Sequence, residues 1–495
     1  MNEQVNPIIN IAYKVFGNTI SSLQYKDYVL TLLFLKLMNE YYQLCGTHPE
    51  LKQKKRVLIT ERSSFDYLMK VSSTSSLGDI LNDALAELEE VNSHDWKDES
   101  ISRYIDFNSP SLGESSERNA RLHELVQFFG HTVFIPDLKD ISTCGELYHQ
   151  TLQAFTAESI RKSKDILIPK EVVKLMTELI YIKNNSTICD PASGSGALLM
   201  QLSQNLKNTQ CVLYGQEANN SQFILTKMGL ILSGFQNITL CWGDVLNNPK
   251  LLTSERELQK FDVIMSIPPF VTDKWRVENA LYDSFHRFQY GIPPKGQASW
   301  AYISHMLTSL NRDGQIVVTV PSGTLFRGLE SKIRKEIIKN NLLEAVIALP
   351  ENIFYGTNIS TAILVFRKER YTNHVVFVDA RKAYTPTKGI NKLNWTDIAS
   401  ICPVERYLNK PLSEIHHMTD NCRYIVVNTN CIQENNCNLS ITNYIKDKKP
   451  RKSVDVKALT QELWQKEQEL KEIEYQLQQK QEQLIRLTKS LSYES

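Results

Sequence analysis

The chain has 495 residues, of which 42% are hydrophobic, and this length allows two or three domains with sizeable cores. Its 56 Lys and Arg residues nearly balance 55 Asp and Glu, which argues against a protein that holds a polyanion alone by a general basic excess. The chain does not open with a basic region followed by an apolar core, so we expect no signal peptide. The most apolar early run, at 28–38, contains Lys36 and is too short to span a bilayer, which predicts no membrane association.

The nine cysteines are scattered through the chain without Cys-x-x-Cys pairs. This distribution predicts no metal site and a reducing, cytoplasmic location. Cys189 and Cys211 lie in apolar runs with strand character, so we expect both to be buried core residues.

Residues 1–150 are predicted to form an N-terminal helical domain. Apolar residues such as Val29, Leu33 and Leu37 recur at the spacing of one buried helix face. The polar stretch at 92–120 predicts a loop-rich link between helical segments.

Residues 151–445 alternate apolar, strand-like runs with helical patterns. Four of the later runs read IVVTV, EAVIAL, AILVFR and VVFVDA. Such alternation predicts an α/β fold in which helices cover both faces of a parallel-dominated sheet.

A glycine-rich turn links an early strand of this region to a helix, within the sequence ICDPASGSGALLM at 188–200. A strand, a glycine turn and a helix in this order let a nucleotide-like ligand approach the backbone closely. The predicted cofactor-binding residues of this segment are Asp190, Gly194, Ser195, Gly196 and Ala197.

Two acidic residues follow at the ends of the next two strands. Glu217 ends the run at 211–217, at the spacing where a carboxylate holds both hydroxyls of a ribose. Asp244 ends the run at 238–244, where it can accept a hydrogen bond from an adenine amine. Either carboxylate alone can be an ordinary helix N-cap, and for Asp244 that alternative stays open. With the glycine turn, and with no phosphate-binding lysine after it, they predict S-adenosylmethionine rather than a dinucleotide.

The strand FDVIMS is followed by Ile267, Pro268, Pro269 and Phe270. Enzymes that methylate an exocyclic amine commonly carry Asn-Pro-Pro-aromatic at such a strand end. The nitrogen becomes nucleophilic when the Asn oxygen and the carbonyl before Pro269 hold its hydrogens, and Phe270 offers a face on which a flipped base can stack. Ile267 has no acceptor atom. The alternative is a Pro-Pro turn followed by a core phenylalanine.

Residues 446–495 are predicted to be a basic linker and a C-terminal coiled-coil helix. Leucines recur every seven residues, the coiled-coil period, at Leu463, Leu470, Leu477, Leu484 and Leu491. The second seam includes Lys466 and Lys480, so partner helices that carry acids suit it better than a dimer of this helix. The alternative is a solvated helical tail that docks on its own domain.

The ordered series of motifs resembles the modification subunit of type I restriction-modification systems, a DNA adenine-N6 methyltransferase family. Beside the motifs above, the resemblance is carried by the segments 11–42, 145–155, 168–176, 287–307, 317–338, 342–368 and 435–445. It implies a Rossmann-like S-adenosylmethionine-dependent methyltransferase domain acting on DNA. It also implies that the terminal helix packs on a DNA-specificity subunit, which reads the target sequence, and it allows a second copy of the chain and a restriction subunit in the assembly.

Two departures from the family pattern fall on functional positions. Ile267 stands where the family has Asn, and Ile168 stands where a Thr before a proline helps to bind the methionine end of the cofactor. Pro169 and Lys170 remain at the start of the following helix, whose N–H groups can meet a carboxylate. We therefore expect weakened cofactor binding and slow or absent methyl transfer.

Three basic clusters are candidate DNA contacts, with a solvated face or linker as the alternative for each. They are Arg161, Lys162 and Lys164; Arg327, Lys332, Arg334 and Lys335; and the run at 446–452.

Three functional hypotheses follow. The first is an active adenine methyltransferase subunit, and the second is a degenerate subunit that binds cofactor and DNA as a scaffold or sensor without chemistry. The third is a methylase of another amine or amide, such as a protein glutamine, which the family-wide match and the leucine repeat disfavour.

Overall fold

A computed structural model describes residues 4–17, 20–47, 57–94, 96, 100–135, 141–159, 168–206, 209–235, 237–270, 275–354, 356–387, 390–402, 414–446 and 456–491. The chain divides into two compact units, Met1–Ile445 and Lys446–Ser495. Among the described residues, no helix combines the length and apolarity that crossing a membrane requires.

The N-terminal part of the first unit is helical, as predicted. Its helices are α1 Val5–Phe16, α2 Ser22–Thr47, α3 Phe65–Val71, α4 Leu77–Val91, α5 Ser115–His131 and α6 Ser142–Ser159. The predicted loop-rich link extends too far, because α5 begins at Ser115. Helix α6 runs across residue 150, where we placed a domain boundary, and that boundary stays a prediction.

Helix α2 lies at the centre of this helical part. Val29, Leu33 and Leu37 are fully buried, as predicted, and the residues between them are buried as well, with Lys36 at 8% exposure. The prediction of a single buried face was therefore too narrow. Lys36 is accommodated because its Nζ lies 3.3 Å from a carboxylate oxygen of Glu40, one turn along the helix.

The later part of the first unit is built on a sheet of ten strands flanked by helices. The strands are β1 Thr187–Asp190, β2 Val212–Glu217, β3 Ile238–Trp242, β4 Phe261–Ser266, β5 Leu310–Pro321, β6 Leu343–Ala348, β7 Thr361–Arg367, β8 His374–Asp379, β11 Ile415–His417 and β12 Arg423–Asn428, with a separate hairpin of β9 Tyr384–Thr387 and β10 Ile390–Leu393. The helices are α7 Lys170–Glu178, α8 Ala197–Asn205, α9 Asn220–Ser233, α10 Val277–Ala280, α11 Ser299–Thr308, α12 Ser331–Lys339, α13 Trp395–Ile401 and α14 Thr429–Glu434.

The strand order is β11-β12-β8-β6-β7-β5-β4-β1-β2-β3. Strands β1 to β5 pair in parallel, and β6 is parallel to β8. Strand β7 runs antiparallel between β5 and β6, and β11 and β12 add an antiparallel edge. The predicted parallel-dominated sheet is confirmed.

Two hydrophobic cores cover the two faces of the sheet, because successive side chains of a strand point to opposite faces. Val263 and Met265 of β4 join a core that also contains residues of α7, α8, α9 and the N-terminal helices. Ile264 joins the other core, with residues of α11, α12 and α14. Cys189 and Cys211 are buried, as predicted.

The second unit contains the helix α15 Val456–Leu491. Of the predicted leucine seam, Leu463, Leu470, Leu477 and Leu484 are each 58–69% exposed. The side chain of Leu491 lies outside the described residues. Within the described part of this unit, the seam is a continuous apolar surface open to solvent.

Candidate functional site

The carboxyl ends of β1, β2 and β4 meet at one edge of the sheet, because these strands are parallel neighbours. Hydrogen bonds join the loops at this edge. Ser266 Oγ donates to Asp190 Oδ1 at 2.8 Å, and the Gly194 N–H donates to Glu217 Oε2 at 2.7 Å. The Gly243 N–H donates to the carbonyl of Glu217 at 2.8 Å. This edge therefore brings together residues at the carboxyl ends of β1, β2, β3 and β4, among them the predicted cofactor residues Asp190 and Glu217.

The glycine turn has the backbone that its sequence predicts. Gly194 and Gly196 have φ of +53° and +74°, which side chains disfavour. A Cβ at Gly196 would lie 2.5 Å from Thr226 Cγ2 of α9. Thr226 Oγ1 in turn donates to the carbonyl of Gly194 at 2.9 Å. Glycine at these positions thus permits the positive φ of the turn and lets α8 begin close to α9.

Asp190 is a buried acid at the base of the turn. Burial raises its pKa to about 7, while hydrogen bonds from the Ser266 hydroxyl and the Ala192 N–H act in the opposite direction, and nearby Glu217 raises the pKa further. Since Ser266 directly precedes Ile267, this contact joins the predicted cofactor loop to the predicted catalytic loop.

Glu217 accepts backbone hydrogen bonds on both carboxylate oxygens. Oε2 accepts from the Gly194 N–H, and Oε1 accepts from the Asn219 N–H, each at 2.7 Å. These two bonds fix the orientation of the carboxylate at the end of β2.

Asp244 lies two residues beyond β3 and caps a turn. Its Oδ1 accepts from the Leu246 N–H at 2.9 Å, and its Oδ2 accepts from the amide of Asn247 at 2.6 Å. Asp244 therefore acts as a capping residue, the alternative role that its sequence position left open, although it caps a turn rather than a helix. The Asn247 N–H also donates to Oδ1 at 3.4 Å, so three donors orient this carboxylate, which has about four lone-pair sites.

Tyr302 of α11 is a residue of this site that the sequence analysis did not single out. Burial raises the pKa of its phenol well above the ordinary value, and the negative charges of Asp244 and Glu217 raise it further. Tyr302 is 7% exposed, and the effect of both charges on its phenol places it near the two acids. Tyr302 lies in the segment 287–307, and the resemblance of that segment to the family was the sequence signal that could have indicated its role.

The predicted catalytic tetrapeptide follows β4. Pro268 is buried and Pro269 is exposed, while Ile267 and Phe270 are half-buried and pack against the same hydrophobic core. The Phe270 ring meets Phe354 edge-on, with ring centroids 5.2 Å apart. Phe354, which follows β6, is a second aromatic residue that the sequence analysis did not assign to the site.

Helix α7 directs its amino end to this same edge. Near its carboxyl end, the Leu179 carbonyl accepts from Gln315 of β5, whereas Met176 accepts from Thr319, further along that strand. The helix thus runs antiparallel to β5. Pro169 occupies the N-cap position without a side-chain cap, and Ile168 packs against the core.

The structure describes only some residues of the three predicted basic clusters, and one of these residues is buried. Residues 161–164 lie outside the described residues, as does most of the run at 446–452. Arg334 is buried and donates to the carbonyls of Cys437 and Thr324 at 3.0 and 3.3 Å, so the prediction of a solvated or DNA-facing residue is wrong for it. Lys332 and Lys335 are exposed.

Two family models match the chain. Residues 139–453 match the N-6 DNA Methylase family and residues 6–129 match the HsdM N-terminal domain. The chain belongs to the N-6 DNA methylase family, whose members are S-adenosylmethionine-dependent methyltransferases.

Curated relatives include methylase subunits of type I restriction enzymes. The MjaVII subunit of Methanocaldococcus jannaschii is 28% identical over 385 residues, which cover 73% of this chain and 63% of the relative. The MjaVIII subunit is 30% identical, with 72% and 61% covered. The chain thus spans about three fifths of these two relatives. The MpnII subunit of Mycoplasma pneumoniae is 24% identical, with 91% of both chains covered.

Solved structures share the fold. A type I restriction-modification methyltransferase subunit from Streptococcus thermophilus aligns with a TM-score of 0.74 at 23% identity, covering 89% of this chain and 98% of that one. A modification subunit of a putative type I restriction enzyme from Vibrio vulnificus aligns with a TM-score of 0.64 at 17% identity, covering 86% and 92%. The Rossmann-like methyltransferase fold with N-terminal helices is confirmed.

Proposed function

We propose that this chain is a modification subunit of a type I restriction-modification complex, which binds S-adenosylmethionine and methylates adenine N6 in DNA at a rate limited by Ile267. The hydrogen-bonded edge that runs from Ser266 through Asp190 and the glycine turn to Glu217 carries the proposal. Family membership and the names of the relatives support the same activity.

The residues of the edge fit this cofactor. Gly194 and Gly196 carry no side chain, so a ligand can approach the backbone of the turn at these two positions. Glu217 would hold the ribose hydroxyls and Asp244 the adenine amine, while the start of α7 at Pro169 and Lys170 would face the methionine carboxylate. Bound S-adenosylmethionine supplies an electrophilic methyl group. The chain's own residues must then orient the acceptor amine and hold its protons.

The acceptor side of the site is incomplete. The carbonyl of Pro268, before Pro269, is a backbone acceptor that survives any side-chain change, and Phe270 offers an aromatic face for a flipped adenine. Ile267 supplies no second acceptor. The amine nitrogen therefore gains less nucleophilicity than at a site with Asn, and the transition state loses more stabilisation than the bound ground state does.

The packing of Ile267 favours a second candidate function, a cofactor-binding and DNA-binding subunit without chemistry. Its side chain is half-buried against the hydrophobic core, as is Ile168 at the other altered position. Two polar positions of the family pattern have thus become apolar contacts, which suits a scaffold or sensor.

We further infer that α15 binds the DNA-specificity subunit and that this partner supplies the target sequence. The four described leucines of its seam are mostly exposed, and an apolar stripe of this length is typical of an interaction surface. A net charge of +1 supports shared rather than independent DNA binding. A second copy of the chain and a restriction subunit complete the proposed assembly.

Calorimetric titration with S-adenosylmethionine tests the cofactor site. We expect weak binding by the wild-type chain and a further loss of about 1.5–3 kcal/mol in Glu217→Ala, because hydrogen bonds to a charged group are removed. Glu257→Ala is a matched control on an exposed loop residue and should bind like wild type. Equal affinities of the wild type and Glu217→Ala would reject the placement of the ribose.

A further inference from the structure

A buried arginine lies behind the turn that follows β3. Arg287 is 5% exposed and pairs with Asp283, four residues earlier, with Nε 2.9 Å and Nη2 2.7 Å from Asp283 Oδ1. Nη1 donates to the carbonyl of Val245 at 3.0 Å, and Nη2 donates to the carbonyl of Leu246 at 2.9 Å. Nη1 also lies 3.5 Å from Nδ1 of His305, which can accept its second N–H. All five guanidinium N–H groups therefore have an acceptor.

His305 of α11 is suited to be that last acceptor. Burial above all, together with the positive charges of Arg287 and Lys260, lowers its pKa to about 3, so the imidazole is neutral near pH 7. Only a neutral ring keeps a lone pair on one nitrogen. The Asp283 carboxylate, whose side chain is 5% exposed, balances the buried charge of Arg287.

The two carbonyls held by Arg287 belong to the turn that orients Asp244. Arg287 Nη1 holds the carbonyl of Val245, which shares a peptide group with the Leu246 N–H that donates to Asp244 Oδ1. A shift of this peptide group would therefore move one of the donors that orient the Asp244 carboxylate. Nothing in the sequence spacing joins Arg287 to Asp244, which are 43 residues apart and meet only through the fold.

We propose that Arg287 is a positioning residue that, with Asp283 and His305, holds Asp244 in the orientation that recognises the 6-amino group of the cofactor's adenine. The inference rests on the proposed cofactor site and assigns it a determinant of specificity. Arg287 acts through the backbone of the turn and does not itself touch the ligand.

The test compares S-adenosylhomocysteine with its 6-deamino analogue, whose purine carries hydrogen at C6, by calorimetry on the full chain. Wild type should prefer S-adenosylhomocysteine by about 10- to 100-fold, since one hydrogen bond to a carboxylate distinguishes the two ligands. In Arg287→Lys the preference should fall below about 3-fold, because one ammonium cannot span the four acceptor groups. Asp283→Asn should reduce the preference as well, and it carries the test if Arg287→Lys does not fold.

Two further variants separate positioning from general destabilisation. Arg370→Lys is the matched control, since Arg370 also donates to backbone carbonyls, those of Leu343 and His374, at the opposite edge of the sheet. It should keep the wild-type preference. Asp244→Ala should lose the preference, and adding Arg287→Lys to it should change the preference no further, because both changes remove the same contact.

The outcomes are distinct. If Arg287→Lys and Asp283→Asn weaken both ligands equally and keep the wild-type ratio, the role assigned to Arg287 is wrong although the cofactor site stands. The same holds if wild type binds both ligands equally. Absence of any binding by wild type would overturn the proposed cofactor site and the role of Arg287 with it.

Discussion

At the scale of single residues, Asp190 shows how burial sets the chemistry of this edge. It was predicted as a cofactor residue from the DPASGSG motif alone, and nothing in that motif indicated its contact with Ser266, 76 residues later. That contact exists because β1 and β4 are neighbours in the sheet, a long-range pairing that local sequence does not specify. Its buried carboxyl should be detectable in the pH dependence of stability.

Replacing Asp190 with Asn should change that pH dependence. Because the pKa of about 7 in the folded state exceeds the ordinary value of 3.8, the stabilisation of the protonated form is complete below about pH 4 and is lost as the pH rises through 7. Asn keeps an oxygen for the Ser266 hydroxyl and cannot ionise. In urea unfolding of the cofactor-free chain, we expect Asp190→Asn to gain about 2–3 kcal/mol relative to wild type between pH 5 and pH 8.

Asp420→Asn, at an exposed carboxylate, is the control for this measurement and should follow wild type at both pH values. A difference between wild type and Asp190→Asn that stays constant from pH 5 to pH 8 would contradict the raised pKa.

The residue scale also shows where sequence reasoning was wrong. Arg334 was assigned to a basic cluster because its neighbours are Lys332 and Lys335, yet its guanidinium is buried and donates to two backbone carbonyls. Charge patterns register the sign of a side chain but not which helix face packs. Arg287 was not singled out either, since its backbone acceptors, the carbonyls of Val245 and Leu246, lie on a turn that is distant in sequence.

At the scale of elements, the junction of α8 and α9 depends on Gly196. Gly196→Ala would place a Cβ 2.5 Å from Thr226 Cγ2 on a backbone with φ of +74°. We expect the free energy of unfolding to fall by about 1–3 kcal/mol, the usual range for overpacking.

A second substitution separates the clash from the backbone strain. Thr226→Ser removes Cγ2 and keeps the hydroxyl that donates to Gly194. The double variant Gly196→Ala/Thr226→Ser should therefore recover part of the lost stability in urea unfolding. If Gly196→Ala is as stable as wild type, the inference that α8 and α9 approach too closely at Gly196 to admit a Cβ is wrong.

Helix α15 is the element whose sequence pattern was most regular. Leu470→Ser/Leu477→Ser should abolish co-purification of the full chain with a co-expressed specificity subunit, because it removes the centre of the exposed seam. It should leave the melting temperature of the first unit unchanged. Glu472→Ser/Gln479→Ser is the control, since at 100° per residue these positions lie on about the opposite face. Retained assembly by the leucine variant would count against the seam as the binding surface.

At the scale of the whole molecule, the strands were easier to predict than their order. The runs IVVTV, EAVIAL, AILVFR and VVFVDA all fall in strands, because continuous apolar runs of that length mark strands buried on both faces. The insertion of β7 between β5 and β6 was not predicted, since strand pairing is decided by packing between distant segments. The cofactor edge was predicted because its residues all end parallel strands.

We infer that this fold retains a cofactor site beside a catalytic loop weakened at Ile267. The direct measurement is methyl incorporation from labelled S-adenosylmethionine into DNA bound by the assembled complex. It compares wild type, Ile267→Asn and Ile168→Thr/Ile267→Asn, with Glu217→Ala/Ile267→Asn as the control for the cofactor site. Asn is smaller than Ile and places an acceptor beside the carbonyl before Pro269.

We predict very slow or undetectable methylation by wild type. Ile267→Asn should raise the rate, on the scale of roughly 100- to 1000-fold that one preorganised polar contact contributes at other active sites. The double variant with Ile168→Thr should use cofactor better still, and Glu217→Ala should remove the gain. Robust methylation by wild type that Ile267→Asn leaves unchanged would contradict the account, because the backbone carbonyl and Phe270 would then suffice.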